Sequence, residues 1–203
     1  MSEEKGQVIK MSDEKNSFGD EVYIRNMALQ SEEPKHENNI HDGYIIVDDE
    51  RIPFQKIEIL EGNMSIIMPE LYEMMPDEMA EKRYGTEDSP DIIYTFINGD
   101  INFALSYKDD LLSEDEDIPG VKDLVQRMVM RSFPGSKVIE SEIMEASGRT
   151  VAYFDFASEV YNLIFFFSLG ETLIMGSFEC FLADKKDWKP VFLQMLGSIE
   201  EIE

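Results

Sequence analysis

Short apolar runs separated by polar turns dominate the chain from residue 43 onward. Residues 44–54 predict a β-hairpin around the polar turn at 48–50, and residues 56–68 predict a second one around 61–63. Apolar runs bounded by turn residues are typical of paired antiparallel strands. The pattern therefore indicates that the ordered domain opens with strands.

The strongest local turn signal is the Asn-Gly pair at residues 98 and 99, which separates apolar runs in 92–107. Asn-Gly favours a two-residue hairpin loop because both central residues of that turn need positive φ. A further hairpin is predicted over 138–156, where Ala152, Phe154 and Phe156 share one face.

The segment 161–181 predicts a last hairpin of a different character. Every position from 163 to 167 is apolar, whereas a strand with one wet face alternates apolar and polar residues. This strand is therefore predicted to be covered on both faces.

Three segments carry helix signals. Residues 76–84 begin with Pro76 and acidic residues and end with basic ones, which suits the helix dipole. Residues 121–131 place apolar side chains at helical spacing. The last helix is predicted to start at Asp187 as its N-cap, with Pro190 in its first turn and Trp188 on its apolar stripe.

The order of these elements predicts the fold class. Most strands are joined by hairpins rather than crossovers, so the sheet is mainly antiparallel. One strand is predicted to be buried on both faces, and the three predicted helices can pack on those two faces. This combination indicates an α+β protein, built as a three-layer α/β/α sandwich.

The amino-terminal part has a different composition from the rest. Residues 1–40 are rich in Glu, Asp, Lys, Ser and Asn and poor in aromatic residues. Such a segment has too little apolar area to offset the entropy lost on ordering. We predict a disordered acidic tail at 1–40 and a single domain at 43–203.

Charge narrows the classes of partner. The chain has 43 acidic and 18 basic residues, a net charge of −25. This charge disfavours general binding to nucleic acids and to anionic membranes, and it favours a protein partner with a basic face. One cysteine, no apolar export segment at the start and no run long enough to cross a membrane predict a cytoplasmic protein.

The layout resembles the PsbP-like superfamily, which includes the photosystem protein PsbP, the nuclear import factor Mog and the DcrB proteins. The resemblance covers roughly residues 56–202 and is greatest to short members from Gram-positive anaerobes. It rests on element order and on these segments: Ile66-Ile67-Met68-Pro69, Asn98-Gly99, Tyr161-Asn162-Leu163, Leu169-Gly170-Glu171 and the Trp188 helix ending Gly197-Ser198-Ile199. It implies a non-enzymatic binding protein, and it carries over no functional residue.

Histidine usage argues against most nucleophilic enzymes. The only histidines, His36 and His41, both fall at the predicted tail, so a catalytic Ser or Cys would lack a base in the folded domain. Their spacing of five residues corresponds to about 500° of helix rotation, which also rules out the zincin arrangement. A hydrolase that uses carboxylates alone stays open, although no acidic pair is singled out.

Other candidate chemistry is weak. The acidic segment 109–117 lacks the EF-hand pattern and is interpreted as a solvated loop rather than a cation site. No Gly-Lys pair forms a phosphate-binding loop. Cys180 is predicted to be a buried, unreactive thiol, and Trp188 a core anchor. The sequence predicts no catalytic, cofactor-binding or metal-binding residue.

Two functions remain. The first is a non-catalytic cytosolic protein-interaction module, such as an adaptor, a chaperone or an immunity-type partner. The second is a small-molecule or metal-binding module with a pocket between the sheet and the helices. A broad exposed apolar patch favours the first function, and a deep pocket with convergent polar groups favours the second. Partner identity and oligomeric state stay open.

Overall fold

The computed structural model describes residues 38–85, 89–96, 99–108 and 118–202. Two short 3-10 helices cover Ile40–Asp42 and Leu60–Gly62. The strands are β1 (Tyr44–Val47), β2 (Glu50–Ile59), β3 (Met64–Pro69), β4 (Glu73–Met74), β5 (Ile92–Phe96), β6 (Ile101–Lys108), β7 (Lys137–Ala146), β8 (Arg149–Ala157), β9 (Val160–Leu169), β10 (Thr172–Phe181) and β11 (Glu200–Glu201). The α-helices are α1 (Asp77–Tyr84), α2 (Ile118–Ser132) and α3 (Lys185–Gly197).

All five predicted hairpins are confirmed by antiparallel pairing. In the hairpin of β5 and β6, Phe96 lies opposite Ile101, while residues 97 and 98 of the predicted turn fall outside the described residues. Between β7 and β8, Ser147 and Gly148 both have positive φ, at 51° and 78°. Such a turn matches the twist of the two strands, and glycine adopts it without strain.

The strands form two antiparallel sheets. The small sheet has the order β1-β2-β3-β11, and the large sheet has the order β4-β5-β6-β10-β9-β8-β7. The sequence predicted one sheet because its hairpins are local signals, whereas the break between β3 and β5 and the pairing of β6 with β10 depend on distant segments. In the large sheet, β7 and β4 are the two edge strands.

Helices cover the two faces of the large sheet. On one face, here called the α2 face, helix α2 packs on Ala152, Phe154, Phe156 and Phe166, and α1 packs beside it on Met75, Ile93 and Ala104. On the opposite face, the α3 face, helix α3 and the small sheet share one core with the large sheet. The α+β class with an α/β/α arrangement is therefore confirmed, with the small sheet as an addition to the α3 layer.

Strand β9 lies inside the large sheet, between β10 and β8. Phe165 and Phe167 are buried on its α3 face and Phe166 is buried on its α2 face, as the continuous apolar run predicted. The core is closely packed here, since a Cβ added at Gly176 of β10 would approach the Phe165 ring to 2.0 Å. Glycine therefore lets this aromatic ring lie directly against the neighbouring backbone.

Helix α3 starts slightly earlier than its sequence predicted. Its first residue is Lys185 and Asp184 occupies the N-cap position, so Asp187 lies in the first turn instead of capping it. The amides of Asp187 and Trp188 both donate to the Asp184 carbonyl at 3.0 Å, which places the first helical turn there. The predicted apolar stripe is confirmed, and Trp188 is buried in the shared core.

The domain boundary also needs correction. Residues 38–40 were assigned to the tail, but Ile40 is buried in the shared core. The Asn38 side chain exchanges two hydrogen bonds of 2.8 Å with the Ile46 backbone, and Gln194 of α3 bonds both the Ile40 amide and the Asn38 carbonyl. One buried apolar side chain and these polar contacts are enough to hold the segment on the domain. Residues 1–37 lie outside the described residues.

In the parts of the chain that the structure describes, no helix combines the length and the apolar composition needed to cross a membrane.

Candidate interaction surface at the open edge of the large sheet

Strand β7 forms a long open edge. It has ten residues, pairs with β8 on one side, and is the last strand in the order of the large sheet. No described strand pairs with its other side. An edge strand presents a row of backbone N–H and C=O groups that another chain can pair with. The ladder is interrupted once, by a bulge between Val138 and Glu140.

A lysine from α2 holds β7 on the α2 face. The Lys122 side chain is only 8 % exposed, and its Nζ donates to the Ser141 hydroxyl at 2.8 Å. That hydroxyl in turn donates to Gln126 Oε1 at 2.8 Å, and Asp123 supplies the counter-charge 2.9 Å from Nζ. A buried ammonium group needs such partners, so this contact fixes α2 against the edge strand.

A lysine from α3 holds the adjacent residue of β7 on the opposite face. Lys189 Nζ lies 2.5 Å from Glu140 Oε2 and 2.7 Å from Asp155 Oδ2. The Tyr161 hydroxyl donates to the same Asp155 oxygen at 2.8 Å. Asp155 is fully buried, and its second oxygen has no hydrogen-bond partner among the described residues. Among the described residues, Lys189 is therefore the only cationic side chain paired with the Asp155 carboxylate.

Together these two side chains, which we call the lysine clamp, hold β7 from both faces. Lys122 binds Ser141 from the α2 side, and Lys189 binds Glu140 from the α3 side. The two contacted residues are consecutive in the strand, so their side chains point in opposite directions. The clamp fixes the edge strand immediately after its bulge. A strand that is already ordered loses less entropy when a partner binds to it.

The electrostatics of the clamp favour a charged lysine and a neutral tyrosine. Burial alone lowers the pKa of Lys189, but the hydrogen bonds and charges of Asp155 and Glu140 outweigh it, so this pKa lies above its ordinary value. Burial raises the pKa of Tyr161, and its hydrogen bond to Asp155 raises it further. Lys189 and Tyr161 thus both keep their protons in the neutral pH range.

These shifts predict an alkaline loss of stability. Below about pH 10, Lys189 is charged in both the folded and the unfolded protein, and its ion pairs stabilise the folded state in full. As the pH rises above about 10 and through the raised pKa of Lys189 in the folded protein, this stabilisation is lost. Above about pH 10, Tyr161 ionises in the unfolded chain but stays neutral in the folded protein, which lowers the free energy of the unfolded state relative to the folded state. We expect the free energy of unfolding, measured in urea from pH 7 to 11, to fall more steeply above pH 10 in the wild type than in Tyr161→Phe. Parallel curves for the two proteins would contradict the assignment.

Exposed apolar side chains lie beside the open edge. Phe133, Ile139 and Ile143 are 50 %, 44 % and 53 % exposed, and we call them the edge strip. Phe133 follows α2 and packs on Phe156 with ring centroids 6.1 Å apart, and Val138, beside Ile139, lies opposite Phe156. Ile143 lies opposite Ala152 and therefore shares the α2 face. Grouped apolar exposure of this kind marks contact sites for other proteins.

Two cavities bear on the alternative of a ligand-binding pocket. A groove on the large sheet has a volume of about 120 Å³ and is lined by strand residues, Ala104, Ile164 and Met175 among them, together with Pro90. Sites for small organic ligands usually have volumes of roughly 300–1,000 Å³. An open depression of about 530 Å³ at the rim of the two sheets is lined by Glu61, Asp91 and Tyr107 among others.

Sequence candidates for chemistry are dispersed. His41 was assigned to the tail, but it lies in the first 3-10 helix of the domain. His36 and the acidic segment 109–117 fall outside the described residues. Among the described residues, no group of three His, Cys, Asp or Glu residues is arranged to hold a metal. Cys180 is buried; burial, with Asp184 and Glu179 nearby, raises the pKa of its thiol to about 12. That pKa leaves almost no reactive thiolate at neutral pH.

The lysine clamp and the edge strip were missed by sequence reasoning. In the sequence, Lys122 falls on the polar face of an amphipathic helix and nothing distinguishes Lys189, while Asp155 alternates with aromatic residues as a solvent-facing residue would. The one available signal was an acid inside the strongly apolar segment 151–156. An isolated charge in such a segment indicates a buried partner.

No protein-family model matches the sequence, and a search of curated protein sequences found no match. Solved structures do match. The solution structure of cyanobacterial PsbP (CyanoP) from Synechocystis sp. PCC 6803 aligns with a TM-score of 0.55 at 14 % identity, over 73 % of this chain and 92 % of that one. The chain has the PsbP-like fold.

The PsbP-like fold confirms the predicted resemblance at the level of architecture. The Ran-binding protein Mog1p of Saccharomyces cerevisiae also matches, with a TM-score of 0.46 and 11 % identity, over 75 % of this chain and 97 % of that one. A protein of unknown function from Pseudomonas aeruginosa, PA94, described as a putative regulator, matches with a TM-score of 0.41 and 10 % identity. The origin in Gram-positive anaerobes stays a prediction.

Proposed function

We propose that this chain is a non-catalytic, cytoplasmic protein-interaction module and that its partner binds at β7 and the edge strip. The observation that carries the proposal is the combination of a ten-residue open strand with three exposed apolar side chains beside it. A surface of this kind would serve an adaptor, a chaperone or an immunity-type partner, each of which binds another protein.

The lysine clamp supports the choice of this edge. It contacts β7 from both faces, while the three side chains of the edge strip stay exposed. The other edge of the large sheet, β4, has only two residues. Short edges are a usual protection against unwanted pairing, whereas a long edge held in place is suited to binding.

The alternative, a ligand module with a pocket between the sheet and the helices, has less support. The groove on the large sheet is lined by strand residues and Pro90, without a helix residue, and its volume of about 120 Å³ is below the roughly 300 Å³ of usual sites for small organic ligands. The wider depression at the rim lies between strand ends and is open to solvent. We therefore place the function at the open edge.

Affinity capture with matched variants tests the proposal. The full-length protein, an Ile139→Ser and Ile143→Ser double variant, and a Leu71→Ser and Met74→Ser double variant are each used to capture proteins from extracts of the producing organism. Leu71 and Met74 are 58 % and 56 % exposed near the opposite edge, so they match the removed apolar area. We expect a captured protein that is lost only with the β7 variant, because apolar contacts beside the edge supply binding energy.

Circular dichroism and thermal unfolding must show that both double variants are folded, as expected for exposed positions. If all three proteins capture the same set, or if the Leu71 and Met74 variant alone loses its partner, the β7 edge is not the interaction surface.

A further inference from the structure

This inference rests on the proposed function and concerns the partner's chemistry. We propose that the partner contributes an extended segment that pairs with β7 as an additional strand, and that Lys or Arg residues alternate with apolar residues along it. The juxtaposition that carries the proposal is an open ten-residue edge in a chain of net charge −25, with the exposed Glu142 on the α3 face of the strand and the exposed Ile143 on the α2 face.

The two faces of β7 can be assigned from its pairing with β8. Glu142 lies opposite Tyr153, and Tyr153 belongs to the shared core on the α3 face. Ile143 lies opposite Ala152, which packs under α2. Because side chains alternate along a strand, Glu140 and Glu142 share the α3 face, whereas Ser141 and Ile143 share the α2 face.

An added strand would extend both faces. A side chain opposite Glu142 would meet an exposed carboxylate, whereas the Glu140 carboxylate is already paired with Lys189. A side chain opposite Ile143 would meet the edge strip. Opposite charges across a strand pair stabilise it, as do apolar pairs. Basic residues on one face and apolar residues on the other therefore complement the edge, and backbone hydrogen bonds supply the remaining contacts.

Charge also argues against a second copy of this chain as the occupant. In a symmetric antiparallel pairing centred on residue 141, Glu140 and Glu142 of one copy face Glu142 and Glu140 of the other. Like charges directly opposite each other destabilise a strand pair. Each copy carries a net charge of −25, which adds long-range repulsion. A partner with basic residues avoids both costs.

The test uses the full-length protein and synthetic peptides that match the ten residues of β7 in length. The probe alternates Lys and Val. One control peptide alternates Glu and Val, and a second has the composition of the probe with its Lys and Val residues in two blocks. Binding is followed by amide hydrogen exchange and by NMR shifts across β7 at low salt, where electrostatic pairing is least screened.

We expect the alternating Lys-Val peptide to protect the β7 amides that point away from β8, and neither control to do so. A Glu142→Gln variant, which leaves the contact of Glu140 with Lys189 intact, should bind it about twofold to fivefold more weakly, because a lost cross-strand charge pair contributes a few tenths to one kcal/mol. A Glu73→Gln variant, changed at an exposed acid on the opposite edge, should bind as the wild type does.

Three outcomes overturn the inference: no protection of β7, equal protection by the Glu-Val peptide, or a concentration-dependent dimer that protects β7 in the absence of peptide. These results are separable from failure of the proposed function. If the Ile139 and Ile143 variant still loses its captured partner while the peptide does not bind, the surface stands and strand addition is wrong.

Discussion

Replacing Lys189 with methionine is expected to lower the free energy of unfolding by about 3 to 5 kcal/mol. The substitution keeps an unbranched side chain of similar length but leaves the fully buried Asp155 without its cation. Removing one partner of a buried ion pair is costly because the remaining charge stays desolvated. Urea unfolding followed by circular dichroism measures the loss.

Two control variants distinguish the loss of the buried ion pair from the general effect of replacing a lysine in α3. Lys186 pairs at 3.6 Å with its neighbour Asp187 and is 71 % exposed, so Lys186→Met should change stability by less than about 0.5 kcal/mol. A Lys189→Met and Asp155→Asn double variant should be more stable than Lys189→Met alone, since it removes the buried charge. A loss below about 1 kcal/mol in Lys189→Met would show that the clamp does not hold β7.

Trp188→Ala is expected to destabilise the domain by about 3 to 5 kcal/mol. The indole is buried in the core between α3 and the sheets, with ring centroids 5.8 Å from both Phe96 and Phe192. Truncation removes these contacts and leaves a cavity that a rigid aromatic cluster cannot fill.

The matched control is Phe181→Ala, which removes an aromatic side chain that is 49 % exposed at the end of β10. Its effect should stay below about 1 kcal/mol, because little buried area is lost. Similar losses for Trp188→Ala and Phe181→Ala in the same urea titration would mean that α3 is not packed on the sheets as described.

Local patterns predicted much of this fold because local chemistry determines it. Polar turns flanked by apolar runs specified the hairpins, and the apolar run of β9 predicted a strand buried on both faces. The charges and Pro76 around α1 predicted a helix that the structure places at Asp77–Tyr84. These signals act between residues close in sequence, so they need no knowledge of the rest of the chain.

The features that sequence analysis missed are set by contacts between distant residues. The pairing of β6 with β10 joins segments about seventy residues apart, and only the assembled core selects it. The lysine clamp has the same origin, because Lys122 and Lys189 lie on separate helices and meet consecutive residues of β7. A helical lysine is usually solvated, so neither lysine stands out in the sequence, and Asp155 within its apolar segment is the one sign that a buried partner exists.

The edge strip was hidden for a related reason. Ile139 and Ile143 look like core positions of a strand, and a strand becomes an edge only when the order of the sheet is known. The acidic composition had predicted a basic partner from net charge alone. Our proposal adds a place for that partner at β7, an edge strand that carries the exposed Glu142 beside the edge strip.

The central claim is that a partner adds a strand to β7, and amide hydrogen exchange of the full-length protein tests it most directly. The exchange is measured with and without the protein that the wild type captures and the Ile139→Ser and Ile143→Ser variant does not. Strand addition predicts new protection concentrated in residues 137–146, at the amides directed away from β8, with little change in β4 or in the rim depression around Glu61. Protection concentrated in β4, at the rim depression or on α3, with β7 unchanged, would contradict the account.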